Sequence, residues 1–138
     1  MPQGEQMASL TLKNNEQINE LNYAQTAEKF YTDKDGKADK AFPGLTISKI
    51  RKIYNLIRNI DSKITNPEDY PLVLPDIQYL KVRMAYESGR DTAAVKEFID
   101  RTHLMEAVDS IEGYEDFVLY CRYAESLVAY FKYYGGKD

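Results

Sequence analysis

Thr46-Ile47-Ser48-Lys49-Ile50-Arg51-Lys52-Ile53-Tyr54-Asn55-Leu56-Ile57-Arg58-Asn59-Ile60-Asp61-Ser62-Lys63-Ile64 is the stretch from which the fold reads most directly. At about 100° per residue, Ile50, Ile53, Tyr54, Ile57, Ile60 and Ile64 fall on one stripe, the mark of an amphipathic helix beginning at Thr46 or Ser48 and ending at Ile64. The opposite face carries Arg51, Asn55, Arg58 and Ser62, with Lys52 at its edge. Arg51 and Arg58 are two turns apart and stack along one side, so the helix presents a basic stripe.

Reading outward, the segments on either side also have helical periodicity. Upstream, Glu16 to Tyr31 shows a weak 3.6-residue pattern through Ile18, Leu21 and Tyr31, preceded by a polar stretch, 1–15, expected to be flexible. Between them, Thr32 to Gly44 is polar, holds Gly36, Pro43 and Gly44, and reads as a mobile loop. Downstream, the Pro-rich link from Asn66 to Pro75 leads into a third helix, Asp76 to Ser88, which is apolar nearly all round and so belongs in the middle of a bundle. Gly89 is expected to end it and Asp91 to cap the next helix. In that fourth helix Val95, Phe98, Ile99 and Thr102 share one side, whereas Leu104, Ala107, Val108 and Ile111 share nearly the opposite one. A straight helix cannot bury both, which predicts a kink or break near Thr102–Leu104. The last helix, Tyr114 to Tyr134, has a stripe of Phe117, Tyr120, Cys121, Ala124, Leu127, Val128 and Phe131, and stops at Gly135-Gly136. No Asn-Gly or Asp-Gly turn joins alternating segments, so no strands are predicted. The expectation is an all-α chain, one small helical bundle of about five helices over residues 1–138.

Composition narrows the chemistry. A single cysteine, Cys121, excludes an internal disulfide and a Cys-rich zinc site. The first twenty residues lack an apolar core, so no signal peptide is expected. No apolar run approaches membrane-spanning length, and the cytoplasm is the default. Net charge is −4, which on its own argues against a general nucleic-acid binder. The distribution qualifies this, because residues 45–66 hold five basic side chains against Asp61 alone, within an otherwise acidic chain. Such a face can meet phosphate, or it can be a solvated surface clustered by chance.

Catalytic and metal motifs are missing. His103 is the only histidine, and its place at the predicted kink suits a helix-terminal or hydrogen-bonding role. Cys121 on an apolar stripe reads as a buried small hydrophobe. The run Asp33-Lys34-Asp35-Gly36-Lys37-Ala38-Asp39 suggests a calcium loop, but aligning Gly36 with the invariant glycine puts Tyr31 and Phe42 at ligand positions, which neither can fill. Glu112, Glu115 and Asp116 gather near a helix N-terminus, where the macrodipole favours negative charge. No catalytic residue, metal site or cofactor is expected. Of the 12 tyrosines, Tyr130 and Tyr133 sit with Leu119, Ser126 and Ala129 on the side of the last helix away from its stripe. Tyrosine with small residues is the composition of a contact surface, either for a protein neighbour or for a stacked base.

Three stretches in order resemble the small subunit of type III-A CRISPR–Cas (Csm) effector complexes. They are Leu45-Thr46-Ile47-Ser48-Lys49-Ile50-Arg51, Ile77-Gln78-Tyr79-Leu80-Lys81-Val82-Arg83-Met84-Ala85-Tyr86-Glu87-Ser88-Gly89-Arg90-Asp91, and Tyr120-Cys121-Arg122-Tyr123-Ala124-Glu125 through to Tyr134-Gly135-Gly136-Lys137-Asp138. The resemblance covers residue 45 to the end. It implies a non-catalytic helical subunit of antiviral defence, with copies stacked as an inner filament beside the guide RNA and its paired target RNA. Its implied partners are both RNAs, copies of itself, and the backbone and large subunits of the complex. It also implies that Lys49, Arg51, Lys52, Arg58, Lys81, Arg83, Arg90 and Arg122 lie along the target RNA, reading shape and phosphate while base pairing reads sequence. Lys81 falls near the apolar side of its helix, which suits an ion pair with a buried carboxylate instead. The other reading of the whole is a helical adaptor whose basic stripe meets an acidic protein surface.

Overall fold

The structure, a computed structural model, describes residues 7–39 and 42–138. Among these, two short strands, β1 (Ser9–Thr11) and β2 (Gln17–Asn19), precede five helices: α1 (Tyr23–Glu28), α2 (Ile47–Asp61), α3 (Leu74–Arg90), α4 (Val95–Thr102) and α5 (Tyr114–Tyr133). Tighter 3₁₀ turns follow α1 and precede α3 and α5. The architecture is the expected helical bundle, with an unexpected hairpin at its start.

α2 begins where Thr46, in extended conformation, accepts a hydrogen bond from the Lys49 N–H at 3.2 Å. This N-cap satisfies one of the amides that a helix start leaves open. Ile50, Ile53, Ile57 and Ile60 are buried, and the helix ends at Asp61, so Ile64 packs from the following turn.

α5 is the axis of the molecule. It packs against α1, α2 and β1, and accordingly buries Phe117, Leu119, Tyr120, Tyr123, Ala124, Leu127 and Phe131, more than one stripe's worth. The Asp116 carboxylate ties its first turn to the hairpin by accepting from Ser9 N–H at 3.2 Å and Glu112 N–H at 3.0 Å. The break in the fourth helical segment falls where the phase change placed it. α4 ends at Thr102, His103 takes a left-handed conformation (φ 63°), and the chain resumes as a 3₁₀ turn over Glu106–Ser110. A break frees carbonyls that need donors. Tyr123 donates its hydroxyl to the Thr102 carbonyl at 2.7 Å, and Tyr120 donates to that of Leu104 at 2.6 Å.

Three expectations are corrected. Residues 16–22 are not helical: Ile18 lies opposite Leu10 in an antiparallel pair, and the helix starts only at Tyr23. Ala8, Leu10 and Leu12 alternate into the core while Ser9 and Thr11 face outward, and Asn15 supplies the left-handed turn residue (φ 68°). Of the stretch 1–15, Ser9–Thr11 form β1, and residues 1–6 lie outside the described set. α3 is not the middle of the bundle, because Tyr79, Val82 and Tyr86 are more than half exposed. α3 also runs through Gly89 to Arg90. In the segment between α1 and α2, the Asp33 carboxylate accepts from Asp35 and Lys37 N–H around Gly36 (φ 80°). Phe42 is buried edge-on to Phe98 at 5.2 Å between ring centres; Lys40 and Ala41 lie outside the described residues.

Candidate nucleic-acid interface

α2 lies between α3 and α5, and its basic side chains divide into two rows. The row facing α3 is neutralised by an antiparallel ladder of ion pairs: Lys49 with Asp91 at 2.8 Å, Lys52 with Glu87 at 3.4 Å, and Lys63 with Asp76 at 3.3 Å. Arg90 joins the same carboxylate, 3.3 Å from Glu87, and its guanidinium lies over the Tyr86 ring. The Glu87 side chain is only 8% exposed, so it is a buried charge held by two half-exposed cations. Lys49 also donates to the Gly44 carbonyl and, together with the Ala94 N–H, holds the Asp91 carboxyl below its ordinary value.

The outer row is Arg51 and Arg58. Both are exposed, and seven helical residues set them about 10 Å apart along the axis. Arg51 has no carboxylate within ion-pair distance among the described residues. Arg58 stands over the Tyr54 ring at 5.9 Å. Tyr54, then Asp61 and Glu125, favour its charged form. Arg122 is exposed on α5.

The eight basic residues of the sequence reading are thus not one surface. Arg51, Arg58 and Arg122 project to solvent; Lys49, Lys52 and Arg90 are engaged with Asp91 and Glu87, so acids do neutralise part of the stripe. Arg83 is half-buried on α3 with no carboxylate partner among the described residues. Lys81 points away from α2 and pairs with Asp109 at 2.6 Å, an exposed acid rather than the buried one anticipated. The neutralising acids belong to a different helix, so no wheel drawn on α2 alone contains them.

On α5, the group expected to form a contact face is also divided. Leu119 is buried at 2% exposure, a correction that follows from α5 being covered on several sides. Tyr130 is half-buried and stacked on Tyr134, whereas Tyr133 is 76% exposed. Among the described residues no three His, Cys, Asp or Glu side chains converge on a metal position. His103 Nδ1 shares a hydrogen bond with Glu106 Oε1 at 3.0 Å, and burial pushes the Cys121 thiol far above its ordinary pKa. No helix among the described residues is long and apolar enough to cross a membrane.

This arrangement, a helical bundle with an outer arginine row, can be set beside known proteins. Residues 16–137 match the family model described as Csm2 Type III-A. The chain belongs to this family. It is similar to a CRISPR system Csm2 protein of Streptococcus thermophilus, 36% identical over 123 residues, which covers 88% of this chain and 98% of that one. A second relative, from Enterococcus italicus, is 42% identical over 99 residues, covering 67% of this chain and 70% of its own. A third, from Mycobacterium tuberculosis, is 37% identical over 98 residues, 68% of this chain and 78% of that one. Membership makes the chain a small subunit of a type III-A CRISPR complex, with the other subunits of that complex as its partners. The match begins at residue 16, so it takes in β2 and α1 as well as the three stretches between residue 45 and the end.

Proposed function

We propose that the chain is a non-catalytic RNA-binding subunit, acting in the cytoplasm, which contacts the phosphates of target RNA through the outer row of α2. Arg51 and Arg58 are the principal contacts, extended by Arg122. One observation carries this reading: along α2 the inward basic row is neutralised by α3 while the outward row keeps its charge. Guanidiniums projecting from a rigid helix hold fixed positions against a backbone, and they suit phosphate better than lysine does because their donors are planar and forked. Lys49, Lys52 and Arg90 would contribute to the potential over this face only after release from their acids. Guide RNA and further copies of the subunit lie within the same assembly in this reading. Tyr133 supplies a lesser protein contact on α5.

Replacing Arg51→Glu together with Arg58→Glu in the assembled complex tests it. Binding of target RNA should weaken at every sequence tried. The slope of log K against log salt should fall by about 0.7 for each single-strand phosphate no longer neutralised, or by about 0.9 for each phosphate of a duplex. Lys34→Glu with Lys37→Glu, the same change in net charge on an exposed loop, is the control. Equal weakening by both pairs would mean that only net charge counts.

A further inference from the structure

Gly135-Gly136 end α5, but a helix stop needs one glycine and the chain has two. Gly135 supplies the left-handed residue (φ 88°). Its N–H donates to the Lys132 carbonyl at 3.1 Å, and the Gly136 N–H donates to that of Phe131 at 2.8 Å. These are the paired bonds with which a helix end closes on itself, and they ask for glycine only at the first position. The second glycine has a packing reason. A Cβ on Gly136 would stand 2.3–2.6 Å from atoms of the Phe131 ring. That ring is buried and lies edge-on to Tyr31 at 5.9 Å between centres, so it has little room to yield. Gly136 therefore lets the chain turn down tightly over the end of α5.

The close approach takes effect one residue later. The Lys137 carbonyl accepts the Ile47 N–H at 2.6 Å, and Ile47 is the first residue of α2. The first amides of a helix have no partner within it. Here the Thr46 side chain takes that of Lys49 at 3.2 Å, and a segment remote in sequence takes that of Ile47. The first turn of α2 is thus held on two sides. Toward α3 the Lys49–Asp91 ion pair at 2.8 Å fixes it, and toward the end of α5 the Lys137 carbonyl does so. Arg51 stands one turn on, and in a regular α-helix its N–H pairs with the Ile47 carbonyl. The segment itself is lightly held. It borders a cleft of about 330 Å³ that Tyr31, Leu45 and Phe131 also line. The Lys132–Asp138 ion pair at 3.0 Å is exposed, a kind of contact that contributes little.

We propose that Gly135–Lys137 is a strap that positions the first turn of α2, and through it Arg51, for the RNA contact. Gly136 and the Lys137 backbone are its positioning groups; the Lys137 side chain is not needed. The proposal rests on the RNA reading given above and adds to it a part of the chain outside the basic row.

The test joins amide exchange in the isolated full-length chain to RNA binding by the assembled complex. Gly136→Ala forces the strap off the Phe131 ring. The Ile47 amide should then exchange about tenfold faster, the loss of one hydrogen bond, while helix content by circular dichroism stays that of the parent. In the complex, the slope of log K for target RNA against log salt should flatten by up to about 0.7, one single-strand phosphate. If Gly136→Ala disturbs the core, a chain ended after Gly135 adds no atom against Phe131 and should give the same two results. Lys137→Gln keeps the carbonyl and should change neither. Unchanged Ile47 exchange in both strap variants overturns the proposal. Faster exchange with an unchanged slope overturns it too, leaving the strap as a helix cap alone. So does a slope lost equally with Lys137→Gln, which would make that ammonium the contact. Arg51→Gln, measured alongside, separates the two readings. Where it flattens the slope and the strap variants do not, the strap proposal alone falls; where it also has no effect, the RNA reading falls and the strap proposal with it.

Discussion

Glu87→Gln should strengthen RNA binding. The wild-type carboxylate is buried and holds two half-exposed cations, Lys52 at 3.4 Å and Arg90 at 3.3 Å. Glutamine has nearly the same shape, so the substitution removes one negative charge and leaves the packing of α2 on α3 in place. The cost to the fold is small because two effects oppose each other. Each pair gives up something in the range of about 0–1 kcal/mol typical of ion pairs with an exposed member. Burying a neutral amide is easier than burying a carboxylate, and that relief offsets the loss. Stability should therefore change by no more than about 1 kcal/mol. Lys52 and Arg90 become free beside the outer row, and two additional phosphate contacts would steepen the slope of log K against log salt by up to about 1.4. The assay is target-RNA binding by the assembled complex over a salt series, with Arg51→Gln measured alongside. Arg51→Gln should flatten the slope by about 0.7, so two neutralising substitutions close together on one surface should act in opposite directions. Unchanged or weaker binding by Glu87→Gln, with assembly intact, would refute the idea that internal acids restrain the basic surface, and would place the RNA elsewhere on the bundle.

Two further outcomes bear on the fold. Tyr120→Phe removes the hydroxyl donating to the Leu104 carbonyl, and leaving a buried carbonyl without its donor should cost about 1–3 kcal/mol in chemical denaturation; no change would mean that the break after α4 is satisfied another way. Gly89→Ala should stabilise the isolated chain by about 0.5–1 kcal/mol, since the glycine is helical and has open space around it; destabilisation would show that the backbone there is not helical in solution.

The isoleucine stripe of α2 is legible in the sequence because it is a local property, four buried isoleucines at helical spacing. The break at His103 is legible for the same reason, as two opposed apolar faces cannot share one straight rod. The hairpin is not, although Ala8, Leu10 and Leu12 alternate. The run is short, its turn is Asn14-Asn15 rather than a glycine turn, and only pairing with residues 17–19 makes it a strand. α3 misleads for a more instructive reason. A helix that is apolar nearly all round satisfies two conditions equally well, burial inside one chain or burial between chains, and periodicity does not distinguish them. Leu119 fails in the reverse direction. It lies off the main stripe of α5 yet is buried, as is Tyr123, because that helix, and not α3, is the one surrounded.

The exchange of roles between α3 and α5 also bears on the proposed RNA surface. Had α3 been central, its acids would have been absent or paired with groups deep in the core, and every cation of α2 would have faced solvent. At the edge of the bundle, α3 instead places Asp76 and Glu87, with Asp91 directly after its end, along the seam with α2, and each of them takes a lysine. The helix α2 therefore reaches solvent with Arg51 and Arg58 outside any carboxylate ion pair among the described residues, while Lys49 and Lys52, and Lys63 just beyond its end, are held. On the proposed RNA contact, the counterion argument gives the isolated subunit a lower salt slope, and with it a lower affinity for RNA outside the assembly. On the proposed function, such a subunit would bind RNA weakly alone and gain avidity where several contacts are joined. The helix that leaves Tyr79, Val82 and Tyr86 exposed thus also holds the inward cations of α2, and the proposed RNA contact rests on the two arginines it does not reach.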